Sequence, residues 1–405
     1  MALHEPSELA AHTLLPDSST LGPLAALTAA VSLGVAIFFA LYSLIPVTRA
    51  DTPQLGSLFL GTMMAFVMGV QALTPALVRR LSLRRVLAGS AALMAAGALI
   101  TGTSTNTLTL LIGAVAGGAG FGVLIVAGAQ GVALLVPAKR LGRALGVYGL
   151  ITMASAALGA PAGVHLALAS SPSAFGIGAF VAGIIASGLS LWIPAAVGRA
   201  GAGRTRALAR EPRQASSDDT GTKQPLLRFA KNTPWLVLLF LLLGIVVLSH
   251  GLSSLPVMAS TYANAAIVIF SVQAGNALGR WLGGELEAKA GTGITIIAGA
   301  ALLAAGAALG IWAGGYAMLI TLGALMGLGV GIIQTVTLHT AMRLMDVGGA
   351  SVMWNLAVDG GLWTGGILWG LALTSGFVEG GVLLLSAMVV GVGVMLVLQL
   401  RGKLK

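Results

Sequence analysis

Runs of about 20 apolar residues, the length an α-helix needs to cross a hydrocarbon layer ~30 Å thick, follow one another from Leu24 to Leu400 with only short polar breaks. Inside such a layer no water serves the backbone N–H and C=O groups, so only helices and closed barrels satisfy them. A barrel requires alternating segments of ~10 residues, and these runs do not alternate. The breaks place twelve spans near 24–46, 55–78, 83–103, 107–136, 142–168, 173–197, 233–258, 264–288, 292–313, 316–343, 348–374 and 378–400. The chain is therefore predicted to be an all-α polytopic membrane protein with 12 transmembrane helices. Only 8% of its residues are charged, against about a quarter in soluble domains.

The formal net charge of +10 would suggest nucleic acid in a soluble chain, but here its distribution reports orientation. Arg79, Arg80, Arg84 and Arg85 follow the second span, Lys139, Arg140 and Arg143 the fourth, Arg199 to Lys231 the sixth, and Arg401, Lys403 and Lys405 the last. The breaks after the third, fifth, seventh and ninth spans hold no Lys or Arg, and that after the first holds only Arg49. The positive-inside rule then makes both termini and the long middle segment cytoplasmic. Residues 1–23 lack Lys and Arg and carry Glu5, Glu8 and Asp17, which reads as a cytoplasmic tail and not a cleaved signal peptide. The Arg-, Gly-, Ser- and Pro-rich segment 198–232 is expected to be a flexible linker with at most a surface helix at "LLRFAKN". It separates a six-helix bundle at 24–197 from a second at 233–400, with a short cytoplasmic tail at 401–405. The chain has no cysteine, so no disulfide framework and no thiolate metal site are open to it.

A shift of 209 positions lays "TPALVRRLSLRRVLAGSAAL" (74–93) over "GGELEAKAGTGITIIAGAAL" (283–302), placing Leu77 on Leu286 and Arg80 on Lys289. The same shift puts Gly118, Gly120 and Gly122 on Gly327, Gly329 and Gly331. One offset serving two places implies an internal duplication, the sequence signature of parallel repeats. Gly361 with Gly365, and Gly366 with Gly370, form small-x-x-x-small pairs that allow close helix approach.

Six plus six helices, cytoplasmic termini, a basic middle loop and parallel repeats resemble the major facilitator superfamily. "PALVRRLSLRRVL" after the second span resembles that family's loop motif Gly-x-x-x-Asp-x-x-Gly-Arg-Arg, with Pro75, Arg79 and Ser82 where the pattern has Gly, Asp and Gly. Gly284 to Gly291 is the second copy, with both glycines and Ala288 in place of the Asp. The gating role implied by the resemblance falls on Arg79, Arg80, Arg84, Arg85, Gly284 and Gly291. The fourth span, "AVAGGAGFGVLIVAGAQ", has the family's glycine-rich helix without the Arg of many proton-coupled members. In the fifth, "SAALGAPAGVHLA" resembles the Gly-Pro motif of exporters, with Ala160-Pro161 at its centre. The resemblance implies a secondary transporter working by alternating access, most similar to efflux-type bacterial permeases. It would be a monomer in the cytoplasmic membrane, with a small molecule and protons as partners beside the lipid.

A charged side chain at the bilayer centre costs ~3 kcal/mol or more, so each ionisable residue within a span needs a reason. Asp359 lies eleven residues into its helix, ~16 Å deep, and Asn355, Asp359 and Trp363 share one face. A carboxyl there loads and releases a proton as access alternates, with Asn355 orienting it, or else stays neutral and fixes helix contacts. Gln273, Asn276 and Arg280 share a face of the eighth span, with Arg280 ~12 Å from the cytoplasmic boundary. That is near the height of Asp359, so Arg280 either pairs across the bundle, binds an anionic solute or snorkels to the headgroups. Gln334, Thr335 and His339 lie together on the tenth span, where His339 is a second candidate proton carrier. His250 sits in "SHGLSSLPVM", a polar, Pro-broken segment suited to solute contact. Under the 209 shift, Asp359 falls on Leu150, Asn355 on Gly146, His339 on Gln130 and Arg280 on Gln71. Any ion coupling is thereby assigned to the second half.

No Walker A segment, no two-His metal spacing and no nucleophile–base pair along one helix is found, so neither an enzyme nor a cofactor or metal site is expected. No basic cluster lines the spans, which disfavours di- and trianions. The leading reading is proton-coupled export of a small apolar or weakly polar organic compound. His250, Gln334, Trp363, Gln273, Asn276 and Arg280 are its candidate solute contacts. Two rivals remain open: an uptake permease or exchanger for a small metabolite or monovalent anion held by Arg280, and a non-transporting sensor acting through residues 1–23 and 198–232.

Overall fold

The computed structural model describes residues 18–48, 53–198, 225–252, 255, 265–312 and 314–402. The expected tail, linker and terminal segments at 1–17, 199–224 and 403–405 lie outside them, as do Ser253, Ser254 and Pro256 of the polar segment after His250. The described residues form thirteen α-helices and no strand. In the first half these are α1 (Ser18–Thr48), α2 (Pro53–Gln71), α3 (Thr74–Leu81), α4 (Leu83–Thr103), α5 (Thr107–Leu135), α6 (Leu141–Ala169) and α7 (Pro172–Ser190). The second half holds α8 (Pro225–Leu252), α9 (Ala265–Ala290), α10 (Thr292–Gly310), α11 (Tyr316–Leu344), α12 (Val347–Ser375) and α13 (Val378–Leu400). Helix α8 begins at Pro225, inside the stretch read as linker from the sequence, and α7, the sixth expected span, stops at Ser190, short of the expected 197.

Nine of these helices are long and apolar enough to cross a membrane, or ten when the bent pair α2–α3 counts as one span. The two long helices outside that set are α9 and α12, which carry Asn276, Arg280, Asn355 and Asp359. The expected single straight span at 55–78 is instead broken at residues 72 and 73, with the two pieces 57° apart. Pro75 explains the break: it has no N–H for the Gln71 carbonyl one turn earlier, and its ring crowds that carbonyl. The second half has Gly284 at the shifted position, and α9 runs through without a break.

The duplication is written into the packing. Helix α5 displaced by 209 residues coincides with α11, both 29 residues long. A Cβ on Gly118 would strike the Met63 carbonyl and one on Gly122 the Val67 carbonyl, both on α2. A Cβ on Gly327 would strike the Val272 carbonyl and one on Gly331 the Asn276 carbonyl, both on α9. Met63 and Val272 are 209 apart, as are Val67 and Asn276. On the other face of the same helices, Gly120 abuts Ser90 and Met94 of α4, while Gly329 abuts Gly299 and Leu303 of α10, again at the same shift. Small residues let backbones meet where lipid supplies no hydrophobic drive between helices. The shared glycines therefore carry a shared arrangement, and Gly361 and Gly365 do the same for α12 against Ile245 and Ser249 of α8.

The turn into α4 shows one cost of divergence. Ser82 has φ 89° and ψ 153°, and its counterpart Gly291, before α10, has φ 84° and ψ 163°. This region is open to glycine and strained for any residue with a Cβ, by ~1–3 kcal/mol. Among the described residues Ser82 is the only non-glycine with positive φ. Its turn is held in place by the Leu83 N–H, which donates to the Val197 carbonyl at 3.2 Å.

Candidate functional site

The two repeats meet along two seams, α2, α3 and α5 against α12, and α9 and α11 against α6. The 209 shift exchanges these seams, because it carries α2 to α9 and α6 to α12. At matching heights each seam holds one polar side chain from the pair of positions 71 and 280. In the first, Gln71 Nε2 donates to Asp359 Oδ2 at 2.7 Å. In the second, Arg280 lies against Gly149, where a Cβ would sit 3.0 Å from Nη1. Asp359's own counterpart is Leu150, the neighbour of that glycine. One seam has thus placed a carboxylate opposite an amide, and the other a guanidinium opposite a bare backbone.

Gln71 is fully buried at the end of α2, next to the Pro75 break, and its Oε1 has no partner. Its bond to Asp359 joins the two repeats side chain to side chain. Asn355 is buried too, but its Nδ2 donates to the Ser351 carbonyl of its own helix at 2.8 Å. The side chain that bonds to Asp359 is therefore Gln71, and not Asn355 as expected. Trp363, the third member of the stripe, is 63% exposed, so the stripe runs from a buried to an open surface.

Arg280 does not pair with Asp359. Its Nε donates to Gln334 Oε1 at 2.6 Å, and its guanidinium carbon lies 5.2 Å from the centre of the Trp354 ring. Trp354 is fixed in turn by its Nε1–H on Thr337 Oγ1 at 3.1 Å, and Thr335 Oγ1 donates to the Arg280 carbonyl at 2.9 Å. Helices α6, α11 and α12 thus enclose the guanidinium in protein, and snorkelling to lipid headgroups is excluded. Asn276, one turn earlier on α9, is buried with Oδ1 unpartnered, and Gln273 is half-buried.

A third group lies nearer the basic end. His339 Nδ1 is 2.9 Å from Glu287 Oε2, and Thr292 Oγ1 donates to Glu287 Oε1 at 2.8 Å. Gly142 of α6 covers this pair: a Cβ there would lie 3.1 Å from both Glu287 Oε2 and His339 Nδ1. Alongside, Arg143 Nε is 3.3 Å from Glu285 Oε1. Gly284 packs on Gly142 and Gly146, and Gly348 on Pro75. Every contact named between the repeats lies in the part of its helix nearest Arg79, Arg85, Lys139 and Arg143. At the opposite end no hydrogen bond or ion pair joins the repeats among the described residues. The molecule is closed at its basic end. No group of three or more His, Asp or Glu side chains among the described residues is placed to hold a metal ion.

Two similar helical repeats meeting along paired seams, with polar residues at those seams, agree with one further finding: the model of the Major Facilitator Superfamily matches residues 23–362. The chain belongs to that superfamily. Among solved structures it is similar to the E. coli fucose:proton symporter FucP, at 16% identity and TM-score 0.66, covering 96% of this chain and 100% of that one. FucP in its outward conformation matches with TM-score 0.64 at the same identity and coverage. The human organic anion transporter MFSD10 (TETRAN) matches with TM-score 0.67 and 16% identity, over 95% of this chain and 100% of that chain. At such identity these structures show the fold alone. No curated protein matches the sequence.

In this major facilitator the remaining expected site residues fall as follows. His250 is buried against Trp369, with ring centroids 5.0 Å apart and neither ring nitrogen bonded. His339 joins Glu287 and not Asp359. Arg79, Arg80 and Arg85 are exposed and form no ion pair among the described residues, while Arg84 is half-buried. The ion pair between the repeats at the basic end is Arg143 with Glu285. Gly284 lies in the seam and Gly291 makes the turn into α10. Pro161 falls within α6, and its side chain lies outside those described. Sequence reasoning passed over Gln71 and Glu287. The first was visible as the position the shift lays on Arg280, and the second as a carboxylate inside the loop motif, next to the Ala288 that replaces the family's Asp.

Proposed function

We propose that this major facilitator is a proton-coupled secondary transporter of a small organic solute, with Asp359 as the group that carries the proton. The observation that supports this most is the Gln71–Asp359 hydrogen bond across the seam. A carboxylate held by the opposite repeat at one extreme of a rocking motion loses its partner at the other. Its proton affinity and the conformational equilibrium are then linked, since whichever state binds the proton better gains population on protonation. In this reading the spans number twelve, with α2 and α3 as one. Both termini and the basic end are cytoplasmic, in a bacterial cytoplasmic membrane. Bundles 24–197 and 233–400 move about a central path closed toward the cytoplasm. Export is the direction that the exporter-like segment around Ala160-Pro161 favours, and His250 and Trp363 remain solute contacts of this proposal.

The experiment is a pH-jump flux assay in liposomes, comparing the wild type with Asp359→Asn. The Asn keeps the shape and an acceptor for Gln71 but cannot release a proton. Proton-driven flux is expected to vanish while solute exchange at equal pH persists. Proton-driven flux unchanged in the variant would remove Asp359 from the mechanism.

A further inference from the structure

A cation taken out of water is costly unless a counter-charge or a full set of acceptors replaces its hydration. Arg280 is 8% exposed, yet among the described residues no carboxylate lies within ion-pair distance of it, and only its Nε is hydrogen-bonded. The Gln334 amide that accepts this bond is neutral. The Trp354 ring offers its π face to the cation but no lone pair. The far edge of the guanidinium, with Nη1 and Nη2, donates to no acceptor among the described residues and is not sealed off, since neither nitrogen is a fully buried atom. Gly149 of α6 meets the stem of the same side chain, where a Cβ would lie 3.1 Å from Arg280 Cβ and 3.0 Å from Nη1. Tyr148, next to that glycine, is buried with no partner for its hydroxyl, which lies against Gly128 of α5.

These features have one ligand chemistry in common. We infer that the solute is a monocarboxylate, whose two oxygens bind the Nη1 and Nη2 edge of Arg280 between α6 and α12. The planar fork of arginine matches a carboxylate in a bidentate manner that an ammonium does not. A single uncompensated cation selects a single negative charge, because a dianion would carry its second charge into the bilayer interior unpaired. Gln334 and Trp354 are positioning residues: one holds Nε, and the other supports the plane of the guanidinium. The inference refines the transporter reading, on which it rests, and it replaces the apolar solute expected from the sequence.

Equilibrium binding tests it without reliance on transport or protons. The full chain, purified in detergent at constant ionic strength, is melted in the presence of acetate, benzoate and nitrate, and of the neutral isosteres acetamide and benzamide. Benzoate and acetate are expected to raise the melting temperature of the wild type, the amides to leave it unchanged, and nitrate to act less than acetate. Arg280→Lys keeps the charge but loses the fork, and it is expected to bind benzoate about tenfold or more weakly by titration calorimetry. Arg280→Gln, free of ligand, is expected to melt no lower than the wild type, since it removes a buried uncompensated charge, and to show no response to benzoate. Equal responses to benzoate and benzamide in the wild type overturn the inference, and so does benzoate affinity unchanged in Arg280→Lys. Benzoate binding without any flux in liposomes would remove the transporter reading and leave the carboxylate site standing. Flux of a neutral solute with no anion response would do the reverse.

Discussion

The seam between α6 and α9 is where a single methyl group is expected to move the whole molecule. A Cβ on Gly146 would lie 2.8 Å from the Arg280 carbonyl, 3.2 Å from Gly284 Cα and 3.3 Å from the Trp281 carbonyl. One on Gly284 would lie 2.8 Å from the Gly142 carbonyl and 3.1 Å from Arg143 Cα. All these neighbours are backbone, so no side chain can swing aside and the helices must part by several tenths of an ångström. Overpacking of this kind costs ~1–3 kcal/mol. The helix-propensity gain of Ala over Gly is the same whether the basic end is open or closed, so it cancels from the comparison. The steric cost falls on the closed state alone, and the equilibrium should shift away from it by about 5- to 150-fold. Gly97→Ala is the control: its Cβ would collide with the Gly117 backbone and lie 2.9 Å from the Gly113 carbonyl, inside the first repeat. It should lower the melting temperature without altering the balance of states. The chain has no native cysteine, so spin labels at Leu81→Cys and Leu344→Cys, both exposed, report the separation at the basic end by pulsed EPR. A longer-distance population is expected to grow in Gly146→Ala and Gly284→Ala and not in Gly97→Ala. The reasoning is refuted if the seam variants keep the wild-type distances while losing as much thermal stability as the control.

Three further outcomes follow from the same geometry. Gln71→Leu removes the donor to Asp359; a hydrogen bond to a charged group contributes ~1.5–3 kcal/mol, and a double-mutant cycle with Asp359→Leu, which removes the acceptor, should show coupling of that order in the EPR assay, whereas additive effects would separate the two residues. Ser82→Gly relieves a positive φ that its counterpart Gly291 adopts freely, so it should raise stability by ~1–2 kcal/mol in thermal melts, and an unchanged melting temperature would argue against strain at this turn. Asn106→Cys, between α4 and α5, should react with an impermeant maleimide on intact cells, and Lys139→Cys, between α5 and α6, only after permeabilisation; the opposite pattern would invert the topology.

Much of the fold was legible because the bilayer leaves so few options. Apolar runs of spanning length have to be helices, and a 29-residue run recurring at a fixed offset has to repeat its packing, as Gly118, Gly120 and Gly122 do through Gly327, Gly329 and Gly331. The bend after Gln71 was also written locally, in Pro75, although hydropathy reads straight through it. The site was less legible. Depth along a helix follows from counting residues, so Asp359 and Arg280 were placed near one height. Which helix each faces depends on rotation about the helix axis and on the partner across the seam, and neither is local. Asp359 therefore met Gln71, Arg280 met Gln334 and Trp354, and His339 met Glu287.

By itself the sequence determined what the surrounding solvent makes compulsory: helical spans, their duplication, and a strong asymmetry that puts the deep charges in the second repeat. Only the tertiary structure decided the pairing of those charges. Two seams related by the duplication bring together residues hundreds of positions apart, and a buried charge takes its meaning from what stands opposite. For Asp359 that is the amide of Gln71, and for Arg280 it is the bare backbone of Gly149.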